Sequence, residues 1–227
     1  MIVAITPTGA RPEAFALCER YMARQTLQPD LWIVVDDCDP ATACTMGQMV
    51  LRPEPRWESG NTQHRNLLAA LDHVPSDSYI IFFEDDDWYA DAYIEKQAHR
   101  LSRHPLVGEE PARYYHVGHR CARVFDHTPH ASLCATAIHS SMIPELQQCC
   151  FMRAWIDTTL WRKYGSRGDL YCDHSVVGIK GLPGRPGVSA AHRNLPGPQW
   201  RSDPSTETLR RWIGDDWKHY AQYGVKS

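Results

Sequence analysis

The run Tyr79-Ile80-Ile81-Phe82-Phe83-Glu84-Asp85-Asp86-Asp87-Trp88-Tyr89 joins an apolar segment of strand length to four consecutive acids. Four carboxylates at one strand end repel one another unless a cation sits among them, and oxygen-only donors suit a hard divalent ion such as Mg²⁺ or Mn²⁺. The carboxyl end of a strand in an open α/β sheet is also where ligands bind. The competing explanation is an acidic turn that favours the N-terminus of the following helix, which is expected from about Asp91.

Outward from this run, strand and helix signals alternate. Ile2–Thr6 reads as a strand and Pro7–Pro12 as a turn-rich loop. Glu13–Arg24 reads as a helix, with Phe15, Leu17, Tyr21 and Met22 as its apolar positions. Leu31–Val35 is a second apolar strand ending in Asp36-Asp37, and Met49–Leu51 a short third. Asn61 or Thr62 can cap a helix running to about His73. Tyr79–Phe83 is the fourth strand and Asp91–His104 the next helix. Strands separated by helices of ten to fifteen residues indicate βαβ units, and apolar strands without alternation indicate a sheet covered on both faces. The expected fold is therefore α/β, with a mostly parallel central sheet flanked by helices.

The second half is less regular. Val117–Arg120 suggests a hairpin between strands at Tyr114–Val117 and Cys121–Asp126, and Phe151–Tyr164 reads as a helix closed by Gly165. Leu182–Gly187 and Leu195–Pro198 are loops rich in glycine and proline. A helical tail carries Leu209, Trp212, Ile213 and Trp217 as its apolar stripe.

The 227 residues are 43% hydrophobic and 22% charged with a formal charge of −3, as expected of one globular domain without a global basic field for nucleic acid or anionic membrane. No apolar run approaches the ~20 residues of a membrane span. Met1–Thr6 lacks the features of a signal peptide, so a cytoplasmic location is expected. The eight cysteines contain no C-x₂-C pair, and reduced thiols follow from that location. The adjacent Cys149-Cys150 has no sequence-level explanation.

Four motifs in order resemble the GT-A glycosyltransferases, family-2-like members in particular. They are Ile5-Thr6-Pro7-Thr8 with Arg11-Pro12, Val34-Val35-Asp36-Asp37, Gly60-Asn61-Thr62-Gln63-His64-Arg65-Asn66, and the acidic Glu84–Asp87. They lie within the first 105 residues. The resemblance implies a Rossmann-like GT-A sheet and transfer of a sugar from a nucleotide-sugar, UDP-linked by expectation, to an acceptor hydroxyl. It implies a nucleotide-sugar-binding half over 1–105 and an acceptor half over 106–227 within one continuous domain.

Carried over by residue, the resemblance assigns Thr6, Pro7, Thr8, Arg11, Asp36, Asp37 and Arg65 to the nucleotide-sugar, and Asp85 to the ribose. Asp86 and Asp87, with His192, would hold Mn²⁺ or Mg²⁺. Asp173 would be the general base, with Asp169 in reserve; a retaining enzyme would need no such base. Glu84 in place of the family's usual first aspartate, and cysteine at 172 where glutamate is usual, are departures.

A nucleotidyltransferase acting on a sugar phosphate also uses metal carboxylates on an α/β sheet, although Thr6–Pro12 lacks its glycine- and lysine-rich phosphate loop. A non-catalytic binding module is the third class. Arg210-Arg211-Trp212 superficially resembles a processive synthase motif, but threonine stands at the glutamine position and membrane helices are lacking. The acceptor is open. A hydroxymethylated base in DNA is one option, with Arg100, Arg103, Arg113, Arg120 and Arg123 as phosphate contacts.

Overall fold

A computed structural model describes residues 1–125, 129–153, 155–185 and 199–223. The first half follows the expected alternation: β1 (Ile2–Thr8), α1 (Pro12–Ala23), β2 (Leu31–Asp36), β3 (Met49–Leu51), α2 (Gln63–Leu71), β4 (Tyr79–Phe82), β5 (Trp88–Tyr89) and α3 (Tyr93–Leu101). The second half adds β6 (Leu106–Glu109), β7 (Ala112–His116), β8 (Cys121–Phe125), β9 (Thr136–His139), α4 (Ile143–Cys150), α5 (Ile156–Tyr164), β10 (Gly168–Tyr171), β11 (Val176–Lys180), β12 (Arg201–Ser202) and α6 (Glu207–Ile213).

The main sheet has the order β10-β6-β9-β4-β1-β2-β3. β1 runs parallel to β2 and β4, β2 to β3, and β10 to β6; only β9 is antiparallel, wedged between β4 and β6. Strands from the second half thus complete the sheet begun by the first. A second sheet, β12-β8-β7-β11-β5, packs against it and includes the expected hairpin of β7 and β8. Among the described residues no helix is long and apolar enough to cross a membrane.

The apolar strands are buried as their lack of alternation required. Val3, Ala4, Ile5, Ile33, Val34, Val35, Ile80, Ile81 and Phe82 are all fully buried. α1 opens with Pro12 in its first turn, where a missing N–H costs nothing, and buries Ala14, Phe15, Cys18, Tyr21 and Met22 along one stripe.

The helix expected over Phe151–Tyr164 begins only at Ile156. A separate helix, α4, precedes it, started by Pro144 in its first turn. Trp155 adopts a left-handed φ of 56° at the break, which a continuing helix cannot accommodate. The Cys149-Cys150 pair is explained by this element: both thiols are buried and unpaired at the end of α4. Gly165 does not close α5 by a left-handed turn; its φ is −58°, and the chain continues through a 3₁₀ turn over Gly165–Arg167.

Candidate active site

Parallel strands end on one edge, so β1, β2 and β4 bring Thr8, Asp36-Asp37 and the Glu84–Asp87 turn together. The acidic turn is fixed at its base by aromatic packing. Tyr89 stacks on Phe83 with ring centroids 3.8 Å apart, and its hydroxyl accepts the Glu84 backbone N–H at 2.8 Å. Thr6 is fully buried, donating its hydroxyl to the Phe83 carbonyl at 2.6 Å while accepting the Trp32 indole N–H at 2.9 Å. Thr6 therefore binds strands together, and Pro7 is buried beside it in β1.

Two cations enter the acid cluster. Arg11 places one nitrogen 2.8 Å from Asp85 and another 3.0 Å from Asp86. Lys180, at the end of β11, lies 3.4 Å from Asp87 and 3.9 Å from Asp86. Asp85 also accepts from the Thr8 hydroxyl at 2.7 Å, Asp87 from the Ile179 backbone N–H at 2.9 Å, and Glu84 from the Gln63 amide. Four carboxylates thus face two cations at the same strand end.

This imbalance shifts the titrations. Burial pushes the Asp85 carboxyl up to about 6 against the pull of Arg11, and pushes Asp87 up to about 6 against Lys180. Burial, then Asp87 and Asp86, hold Glu84 well above the carboxylate range. Burial opposes the Lys180 charge, but Asp86 and Asp87 outweigh it and raise the ammonium above its ordinary value.

The donor set fits a hard divalent cation. Asp87 Oδ2 is buried and finds no nitrogen or oxygen donor among the described residues, and ligand atoms of Glu84, Asp87 and Cys134 lie within 4.8 Å of one another. Burial and the neighbouring Asp87 and Glu84 hold the Cys134 thiol well above its ordinary range; Asp86, the other expected ligand, stands outside this group and faces Arg11 and Lys180. His192, the expected third ligand, lies outside the described residues.

The Asp36 carboxylate accepts backbone N–H groups of Cys38 at 3.1 Å and Thr42 at 2.6 Å, shaping the loop after β2. Asp37 is fully buried, with Oδ2 accepting from Arg65 and Asn66, each at 3.0 Å, and from the Thr62 hydroxyl. Its Oδ1 lies 2.6 Å from Arg185. Burial alone would raise the Asp37 carboxyl; the Thr62 and Asn66 hydrogen bonds and the Arg185 charge hold it below its usual value. Arg65 also donates to the Pro55 carbonyl at 2.7 Å.

Asp173 has a different environment. Its carboxylate lies 3.4 Å from Arg100 and 3.5 Å from Lys96, both on α3, and Arg100 reaches Asp169 at 3.3 Å. None of the ion pairs of Asp173 among the described residues reaches the Glu84–Asp87 turn. The loop carrying it is rigidly held: buried Glu109 accepts the Ser175 N–H at 2.7 Å and its hydroxyl, and Arg113 donates to the His174 carbonyl.

Lys180 and Arg185 were not singled out in the sequence, and Thr62, Gln63 and Asn66 stood in the Gly60–Asn66 motif without an assigned role in the site. The available signals were a lysine closing the apolar run Val176–Lys180, and the remaining polar residues of the Asn61–Asn66 motif. The arginines considered for DNA are partly engaged within the fold. Arg113 is buried against the Trp212 ring, and Arg123 lies over Phe125.

Comparisons with known proteins agree with this fold. Residues 5–124 match the model described as "Glycosyl transferase family 2". No curated protein matches the chain by sequence. Among solved structures, S. aureus TarS superposes with a TM-score of 0.58 at 13% identity, over 78% of this chain and 36% of that one. S. aureus TarS 1-349 in complex with UDP gives 0.56 at 15% identity, over 78% of this chain and 60% of that one. The complex of TarS 1-349 with UDP-GlcNAc gives 0.53 at 12% identity, over 86% and 61%. The chain therefore spans between 36% and 61% of the length of these structures.

Proposed function

The chain belongs to glycosyl transferase family 2, and from that membership we propose that it transfers a sugar from a UDP-sugar to an acceptor hydroxyl, with a divalent cation held by Asp86 and Asp87. The observation that carries this reading is the convergence of Thr8, Arg11, Lys180 and three buried aspartates at one strand end. Complexes of the structurally similar TarS with UDP and UDP-GlcNAc support the choice of donor.

In this reading the first half, 1–105, holds the donor and the second half the acceptor. Held by Asp86 and Asp87, a divalent cation would offset the charge of the donor diphosphate and of the departing nucleotide. Arg11 fixes the positions of Asp85 and Asp86 through two separate nitrogens, and the Thr8 hydroxyl holds the other Asp85 oxygen. Lys180 holds Asp87 and supplies a second positive charge to the cluster. Gln63 orients Glu84 so that its carboxyl faces the cluster.

The acceptor oxygen forms its bond to the anomeric carbon as the bond to the diphosphate breaks. Asp173 receives the hydroxyl proton in an inverting reaction, its carboxylate oriented by Arg100 and Lys96. Asp86→Asn tests the assignment. Metal-dependent nucleotide release should fall by at least roughly a hundredfold, in line with the loss of one preorganised charge contact. Full activity in a metal-controlled assay would refute the role of Asp86.

A further inference from the structure

The donor reading leaves Arg185, whose side chain is 13% exposed, without a role. Arg185 follows β11 in the strap Gly181–Arg185 and reaches back across the nucleotide side of the sheet. Its Nη1 donates to Asp37 Oδ1 at 2.6 Å, its Nη2 to the Thr62 hydroxyl, and its guanidinium lies over the Trp57 ring, 4.4 Å from the centroid. Its backbone N–H donates to the Ala10 carbonyl at 3.1 Å. Gly184 makes this seating possible. At its φ of +103° an added Cβ would stand 2.3 Å from the Ala10 oxygen.

The two features that Arg185 covers are chemically specific. Asp37 Oδ2 already accepts from Thr62, Arg65 and Asn66, which leaves Oδ1 as the oxygen available to another N–H group. Trp57 is half-buried, tied to Asp37 by its own backbone N–H at 2.6 Å, and offers a flat aromatic face. A carboxylate oxygen beside an indole face accepts a planar group that donates N–H in its plane and stacks on its face. A guanidinium meets that description, and so does a pyrimidine base with a ring N–H.

Asp37 is already assigned to the nucleotide, with Trp57 as the flat face beside it; we propose that Arg185 is an internal competitor for the donor's base in this slot. This rests on the nucleotide-sugar reading above. Base and guanidinium cannot both lie on Trp57 and bond Oδ1, so donor binding displaces Arg185 and lifts the strap from Ala10. The apparent donor affinity is then reduced by the fraction of molecules in which Arg185 fills the slot.

The test compares wild type, Arg185→Ala and Gly184→Ala by titration with uridine, with inorganic pyrophosphate and with UDP, in the presence of Mg²⁺. Gly184→Ala unseats the strap without altering any side chain in the slot, so it covers the case in which Arg185→Ala fails to fold. Both variants should bind uridine roughly tenfold more tightly than wild type, the gain expected if the slot is free about a tenth of the time. Pyrophosphate, which has no base, should gain nothing. Unchanged or weaker uridine binding in the variants overturns the competitor role. If UDP binds all three proteins and uridine none, the slot is wrong while the donor reading stands. If UDP binds none of them, both fail.

Discussion

The Lys180 ammonium lies 3.4 Å from Asp87 across 93 positions of sequence, and both side chains are almost fully buried. One strand of the second sheet thereby neutralises part of an acid cluster that grows from the first. Removing one partner of a buried pair leaves an uncompensated charge and costs about 3–5 kcal/mol. Lys180→Met should therefore lower the unfolding free energy by about that amount at pH 7. Urea denaturation followed by tryptophan fluorescence checks this, and saturating Mn²⁺ should restore part of the loss.

The raised carboxyls of Asp85 and Asp87 give the cation-free protein an inverted acid response. Their folded values of about 6 exceed the ordinary 3.8, so between these two values the folded state binds more protons than the unfolded one. Stability from these two groups is full below the lower value and is lost as pH rises through about 6. Thermal unfolding with chelator present should give a higher Tm at pH 5 than at pH 7. Divalent cations should reverse the order, because binding releases the protons and strengthens toward neutral pH.

Asp173 and Asp169 share Arg100 but differ in expected role. Asp173→Asn should lower kcat by ~10²–10⁴-fold with little change in donor KM, the usual contribution of a general base. Asp169→Asn should leave kcat within a few fold. Equal losses in the two variants would assign the effect to the arginine contact instead of proton transfer.

Gly178 in β11 is a packing constraint on the same region. A Cβ there would stand 2.4 Å from two carbons of the Tyr114 ring. Gly178→Ala should destabilise the fold by about 1–3 kcal/mol through overpacking. Because β11 ends in Lys180, metal affinity should fall along with stability, which parallel denaturation and Mn²⁺ titrations would detect.

The strands most legible in the sequence were those buried on both faces, such as Leu31–Asp36 and Tyr79–Phe82, where continuous apolar runs are bounded by acids. β9 and β10 were missed because strands of four residues, Thr136–His139 and Gly168–Tyr171, carry too little pattern to stand apart from loops. The break before α5 was hidden because the apolar Phe151, Met152 and Trp155 run straight into the helical segment, yet all three are exposed. Among the site residues, the local acids and Arg11 were visible as motifs. Lys180 and Arg185 were not, since their partners lie 93 and 148 positions away and only the folded sheet brings them together.

The central claim is metal-dependent use of a nucleotide-sugar. The most direct measurement presents the wild-type chain with a panel of nucleotide-sugars, with and without Mn²⁺, and follows free nucleotide together with binding of UDP. Release from a UDP-sugar should require the metal, and UDP binding should strengthen with it. No release from any donor, with UDP binding absent or indifferent to metal, would contradict it.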